Sequence, residues 1–106
     1  MAQIVWHEKA QELLRLHLGI ARLEFGSSTM NRWVSQIHSI EKRLRSFPES
    51  YSPEPLLSHK KQMYRGAHFM KRFELVYTYD RFKDIVYVVS IWDNRMNPEI
   101  LKNAID

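Results

Sequence analysis

The sequence predicts an α+β fold: an N-terminal strand, a two-helix hairpin, then a three-stranded antiparallel meander completing one sheet, with a short C-terminal helix. Three observations predict it. Apolar residues recur at helical spacing from Ala10 to Phe47, broken at Gly26. From Met63 to Trp92 the pattern changes to strand-like runs separated by charged turns. A short β-branched and aromatic run, Gln3-Ile4-Val5-Trp6, precedes the helices and must join the later strands.

Each element follows from its residues. From Glu8 to Phe25, Ala10, Leu14, Ala21 and Phe25 share one helical face, flanked by Leu13, Leu18 and Ile20. Glu8, Glu12, Arg15, Gly19 and Arg22 fall opposite, with Leu16 and Leu23 at the border of the polar side. Gly26 ends this helix, because glycine alone enters the left-handed C′ conformation without steric cost. Ser27, Ser28 and Thr29 offer side-chain oxygens to cap a second helix. Its apolar stripe is Met30, Trp33, Val34, Ile37, Ile40, Leu44 and Phe47, and Pro48 stops it.

Pro48 to Gln62, with three prolines and several serines, reads as a surface connection. Three strands follow, over Met63–Phe69, Phe73–Tyr79 and Ile85–Trp92. The last is almost wholly apolar and belongs in the middle of the sheet, covered on both faces. Met70-Lys71-Arg72 and Asp80-Arg81-Phe82-Lys83-Asp84 are the hairpin connections. In the tail, Asn97 is a helix cap with Pro98 at the first helical position.

A chain of 106 residues holds one core and not two, so residues 1–106 read as a single domain. With no cysteine, thiol nucleophiles, disulfides, iron–sulfur clusters and cysteine zinc sites are excluded. No run reaches the ~18 apolar residues of a membrane span. The first residues lack the basic and apolar regions of a signal peptide, so a cytoplasmic protein is expected. The histidines make no metal-ligand motif, and there is no glycine-rich phosphate loop. No metal and no cofactor is therefore expected.

A net charge of +4 favours an acidic partner, whether nucleic acid or an acidic protein segment. The basic residues of the second half, among them Lys60, Lys61, Arg65, Arg72, Arg81, Lys83 and Arg95, interleave with Tyr64, Phe69, Phe73 and Trp92. Guanidinium groups grip phosphate bidentately and aromatic faces stack on bases, so together they could line an RNA groove. Equally, charges at strand ends and hairpin tips keep sheet edges from pairing. Arg65 stands inside a strand beside Gly66, where a ligand or backbone could approach closely. Arg95 follows the most apolar strand and must be either functional or ion-paired, with Glu74, Asp93 or Glu99 as partner.

Several stretches in order then carry a resemblance: Ile4-Val5-Trp6-His7-Glu8-Lys9-Ala10, the turn at Phe25-Gly26, and the Leu44…Phe47-Pro48 exit. Further on come Tyr64-Arg65-Gly66, Phe73-Glu74-Leu75-Val76-Tyr77 and the run from Ile91 to Leu101. In this order and spacing the chain resembles the RelE/ParE toxins of bacterial type II toxin–antitoxin modules, also called plasmid-stabilisation proteins. The resemblance implies a small sheet carrying a helical hairpin. It also implies a cognate antitoxin that wraps the toxin in a hetero-oligomer, and Leu16 and Leu23 are its expected contacts.

The family divides by target. RelE-like members cut mRNA in the ribosomal A site without a metal: the 2′-hydroxyl attacks the neighbouring phosphate, helped by a base, an acid and cations. ParE-like members inhibit DNA gyrase and lack that residue set. Carried onto this chain, the catalytic candidates are Arg65, Arg95 and His68, with Glu74 as an alternative base. Lys60, Lys61, Arg72, Arg81 and Lys83 are the candidate contacts to nucleic acid or another target. Glu74 stands where many of the nucleases have an arginine, and no tyrosine follows the last strand. These departures incline the resemblance toward a ParE-like or catalytically divergent toxin. The alternative is a non-toxic, degenerate member that serves as a protein- or RNA-binding module.

Overall fold

A computed structural model describes residues 1–105. Asp106, the last residue of the expected domain, lies outside the described residues. Strand β1 spans Gln3–Trp6, helix α1 Glu8–Phe25, helix α2 Ser27–Ser46, β2 Tyr64–Phe69, β3 Phe73–Asp80, β4 Ile85–Asp93 and helix α3 Pro98–Ala104. The expected element order is thus the observed one.

The four strands form one sheet in the order β1-β4-β3-β2. β1 runs parallel to β4, and the last three strands form the antiparallel meander. The apolar β4 is therefore an interior strand, as its composition requires. Both helices lie on one face. There Trp33, Ile37, Ile40 and Leu44 of α2 and Ala10 and Ala21 of α1 meet Leu75, Tyr77, Val86, Val88 and Ile91 of the sheet.

Val88 and Ile91 are three residues apart yet face the same helices. Tyr77 pairs with Val88 while Val76 pairs with Ser90, so Val89 is an extra residue in β4. Such a bulge resets the two-residue alternation of a strand. Beyond it, Trp92 faces the opposite side of the sheet, where it clusters with Val76, Tyr64, Leu57, Leu101 and Ile105.

That second cluster corrects the reading of Pro48 to Gln62 as a surface connection. The segment contains a short 3-10 helix at Pro55–Leu57, and both Glu54 and Leu57 are buried. Its backbone joins the outer edge of β2, where Glu54 N–H donates to the Tyr64 carbonyl and Gly66 N–H to the Ser52 carbonyl. The connection covers part of one sheet face and caps part of an edge that would otherwise stay unpaired.

The helical hairpin turns more tightly than expected. Gly26 alone separates α1 from α2; its N–H donates to the Arg22 carbonyl and its own carbonyl accepts from Met30 N–H. Its φ of 94° and ψ of 173° suit glycine, but this is not the left-handed helical cap that was expected. The serines do not cap α2 either: Ser27 and Ser28 are already helical, and Thr29 Oγ1 donates back to the Phe25 carbonyl. Phe25 and Phe47, expected on the apolar stripes, are exposed: Phe25 is the last residue of α1 and Phe47 is the C-cap of α2. The tail behaves as read: Asn97 Oδ1 accepts from Glu99 N–H and Pro98 opens α3.

Candidate functional site

The cations that the sequence brings to attention separate into two groups, with His68, Lys60 and Lys61 outside both. The β-sheet register decides this. Arg65 pairs with Tyr77, whereas Phe73, four residues earlier on β3, pairs with Asp93 at the end of β4. At about 3.3 Å per residue, Arg65 and Arg95 stand at least ~13 Å apart along the sheet.

The first group surrounds Arg65. Its position in β2 shares the parity of Ala67 and Phe69, which face the helices. Nη1 donates to the Tyr51 carbonyl at 2.8 Å, and Nη2 lies 3.8 Å from Glu49 Oε2. Arg81 reaches the same carboxylate with two hydrogen bonds, from Nε at 3.1 Å and Nη2 at 2.9 Å. The Arg81 hydrogen bond, with the charges of Arg81 and Arg65, holds the Glu49 carboxyl below its usual pKa. Two guanidinium groups thus converge on one acid, in a cleft also lined by Thr78, Tyr79 and Tyr87. Lys83 sits in the adjoining β3–β4 turn, whose backbone N–H groups at Phe82 and Lys83 donate to Asp80 Oδ1.

The second group lies at the other end of the sheet. Arg72, Arg32 and Arg95 line a cleft of about 420 Å³ with His17, Trp33 and Phe73. Arg95 forks onto Asp93, with Nε at 3.1 Å from Oδ1 and Nη2 at 2.8 Å from Oδ2. Of the three partners considered for Arg95, Asp93 is the one it takes. The hydrogen bonds from Arg95 hold the Asp93 carboxyl below the usual range and raise the guanidinium pKa in return. His17 stacks on Trp33 with ring centres 5.7 Å apart and meets Phe73 edge-on at 5.1 Å. Burial lowers the pKa of this imidazole, and the charge of Asp93 only partly restores it.

His68 belongs to neither group. It shares the parity of Tyr64 and Gly66 and so faces away from the helical hairpin. Its Nδ1 lies 3.9 Å from Glu74 Oε2. Lys60 donates to the carbonyl of Ile105, behind α3, and Lys61 follows it in the connection. The expected catalytic trio Arg65, Arg95 and His68 is therefore distributed over both faces and two ends of the sheet.

Sequence reasoning missed the partner of Glu74. Glu74 is only 2% exposed, although it is an acid in mid-strand. Burial, followed by a hydrogen bond and charge repulsion from Glu54, raises its pKa from 4.5 to about 9. Near neutral pH Glu74 therefore keeps its proton. Gly66 makes the room: a Cβ at that position would stand 1.6 Å from Glu74 Oε1. The close approach expected beside Arg65 is thus made by the protein's own carboxyl. The cue was a glutamate between Pro53 and Pro55, but nothing in the sequence ties it to a residue twenty positions on.

On the outer surface, Leu16 and Leu23 are both exposed on α1, at 56% and 88%. With Ile20 between them they form an apolar ridge at i, i+4, i+7 spacing. A separate groove between α1 and α2 is lined by Leu14, Leu18, Val34 and Ile37.

The arginines give a direct test of these placements. Arg65→Ala should lower stability by roughly 1.5–3 kcal/mol, because it removes a charge-assisted hydrogen bond that ties the connection to β2. Arg95→Ala should move the urea midpoint less than Arg65→Ala does, because the Arg95 guanidinium is exposed to solvent. Equal losses in the two variants would contradict this assignment.

The strand, the helical hairpin on one sheet face and the closing meander form a fold found in other solved structures. Two solved structures share it. One is the chromosomal ParDE toxin–antitoxin system from P. aeruginosa, matched over 88% of this chain and 96% of that one, with a TM-score of 0.67 and 16% identity. The other is a metal-bound toxin from Helicobacter pylori, matched over 90% and 97%, with a TM-score of 0.64 and 15% identity. No family model matches the sequence, and no curated protein is significantly similar to it. Among the described residues, no helix is long and apolar enough to cross a membrane.

Proposed function

We propose that this chain is the toxin of a type II toxin–antitoxin module and that it arrests growth by inhibiting DNA gyrase. The single observation behind the choice of target is the dispersal of Arg65, Arg95 and His68. In-line attack of a 2′-hydroxyl needs base, acid and cations around one phosphate. Here Arg95 is forked onto Asp93, Arg65 is engaged by Glu49 and the Tyr51 carbonyl, and His68 faces the other side. A proteinaceous target needs no such convergence. Arg72, Arg81, Lys60, Lys61 and Lys83 are then surface contacts for that target.

A cognate antitoxin neutralises the toxin in this reading. Its amphipathic helix covers the Leu16–Ile20–Leu23 ridge, which is too apolar to be left to solvent in a working complex. Cytoplasmic action and a role in plasmid stabilisation follow from the same reading.

Induced expression in bacteria without the antitoxin is expected to stop growth. The purified chain is expected to block supercoiling by gyrase and to leave ribosome toeprints on mRNA unchanged. Codon-specific cleavage in the toeprint assay, with supercoiling intact, would move the assignment to a RelE-like nuclease. Unimpeded growth would leave a non-toxic binding module.

A further inference from the structure

The Glu54–Glu74 pair sits in a cavity that the gyrase reading does not use. The cavity is about 360 Å³ and is walled by the connection on one side, including Ser50 and Ser52, and by Gly66, His68 and Glu74 on the other. Three features set it apart from an ordinary buried carboxylate. Glu74 Oε1 is fully buried and receives no hydrogen bond from any donor group of the protein. Glu54 spends Oε1 on the Leu56 N–H and has no cationic partner among the described ion pairs. Gly66 withholds a side chain where one would press on the Glu74 carboxyl. Glu49 and Asp93, in the Arg65 and Arg95 clefts, each hold a guanidinium; the buried pair has only an exposed, weakly placed imidazole.

We infer that the Glu54–Glu74 cavity is a binding site for one primary ammonium group, which hydrogen-bonds to the unpartnered Glu74 oxygen and to Glu54. An ammonium carries three donors and one positive charge, which match a carboxyl pair that has an unfilled acceptor oxygen and no guanidinium or ammonium of its own. A metal ion fits less well: among the described residues, no group of three or more histidine or acidic side chains is arranged to hold one. A cation-π site is also excluded at the nearest ring, because the Arg43 guanidinium already covers Tyr51 at 4.7 Å. The exposed imidazole of His68 lines the cavity, so the cavity reaches the surface there. A lysine side chain of a polypeptide and a small free amine present the same group.

The test is an amide-resolved NMR titration of the full chain at neutral pH and constant ionic strength, with n-butylammonium as probe. Saturable shifts are expected at Ser52, Glu54, Gly66 and His68, the backbone around the cavity. Glu74→Gln and Glu54→Gln should each weaken the probe by roughly tenfold or more. The glutamine amide at position 74 can donate to Glu54, which keeps that variant folded. A second arm uses a lysine capped at both ends as acetyl and methylamide. Tighter binding than butylammonium would mark a polypeptide lysine as the source, and equal binding a free amine; either supports the site. Non-saturating shifts would overturn it. So would equal responses to sodium or tetramethylammonium, or unaltered affinity in both glutamine variants. None of these readouts depends on toxicity.

Discussion

Gly66→Ala is expected to lower the melting temperature sharply, and the loss should vanish when Glu74 is also shortened. The added Cβ would stand 1.6 Å from Oε1, 2.5 Å from Cδ and 2.9 Å from Cγ of Glu74. The obstacle is therefore most of a buried side chain and not merely its tip. Overpacking of this kind costs roughly 1–3 kcal/mol, and for a chain of this size each kcal/mol is worth about 4–8 °C of melting temperature. In a Glu74→Ala background the same substitution meets no carboxyl. Alanine then gains roughly 0.5–1 kcal/mol over glycine in a strand from backbone entropy. A thermal-denaturation double-mutant cycle measures the coupling directly. An identical penalty in both backgrounds would show that Gly66 serves some other backbone need.

The second large effect is on the pH dependence of stability, and Glu74→Gln should remove it. Folding raises the Glu74 pKa from 4.5 to about 9. The folded chain thus keeps a proton that the unfolded chain releases above its ordinary carboxylate pKa. Stability from this group is complete below about 4.5 and declines as the pH rises through the window up to about 9. It levels off above that window, where both states are ionised. Glutamine holds its amide hydrogens at every pH, so it should supply the bond to Glu54 without the loss. Wild type and Glu74→Gln should have similar melting temperatures under mildly acidic conditions. Toward the alkaline end the variant should be the more stable by at least ~5 °C, the equivalent of roughly 1 kcal/mol. Parallel profiles for the two proteins would place the proton elsewhere.

The two experiments bear on one feature that sets this chain apart chemically. A nuclease groove built on this sheet would concentrate cations on the phosphate. Here the sheet face away from the hairpin instead holds a buried acid pair, with part of that face covered by Leu57, Leu101 and Ile105. The arginines lie around the rim in clefts of their own.

Most of the architecture was legible in the sequence. The 3.6-residue and two-residue periods identify the helices and strands because a half-buried element must keep its apolar residues on one side. The apolar run at Ile85–Trp92 marked the interior strand, and Asn97-Pro98 marked the start of α3. Where local reading went astray, the cause was a contact distant in the chain. Pro48 to Gln62 looks like a solvated loop by composition, yet Leu57 closes a second core against Trp92 and Leu101. Phe25 and Phe47 satisfy the helical period but stand at helix ends and are exposed.

By itself, then, the sequence determined which segments are helices and strands, their order, and the charge they carry, since these follow from neighbours a few residues apart. The tertiary structure decided which charges meet. Strand register put Arg65 and Arg95 at opposite ends of the sheet, and strand parity turned His68 away from both. The fold of the connection brought Glu54 against Glu74, above a glycine. Electrostatic neighbourhood is set by distance in space, and a pair twenty residues apart leaves no periodic trace along the chain.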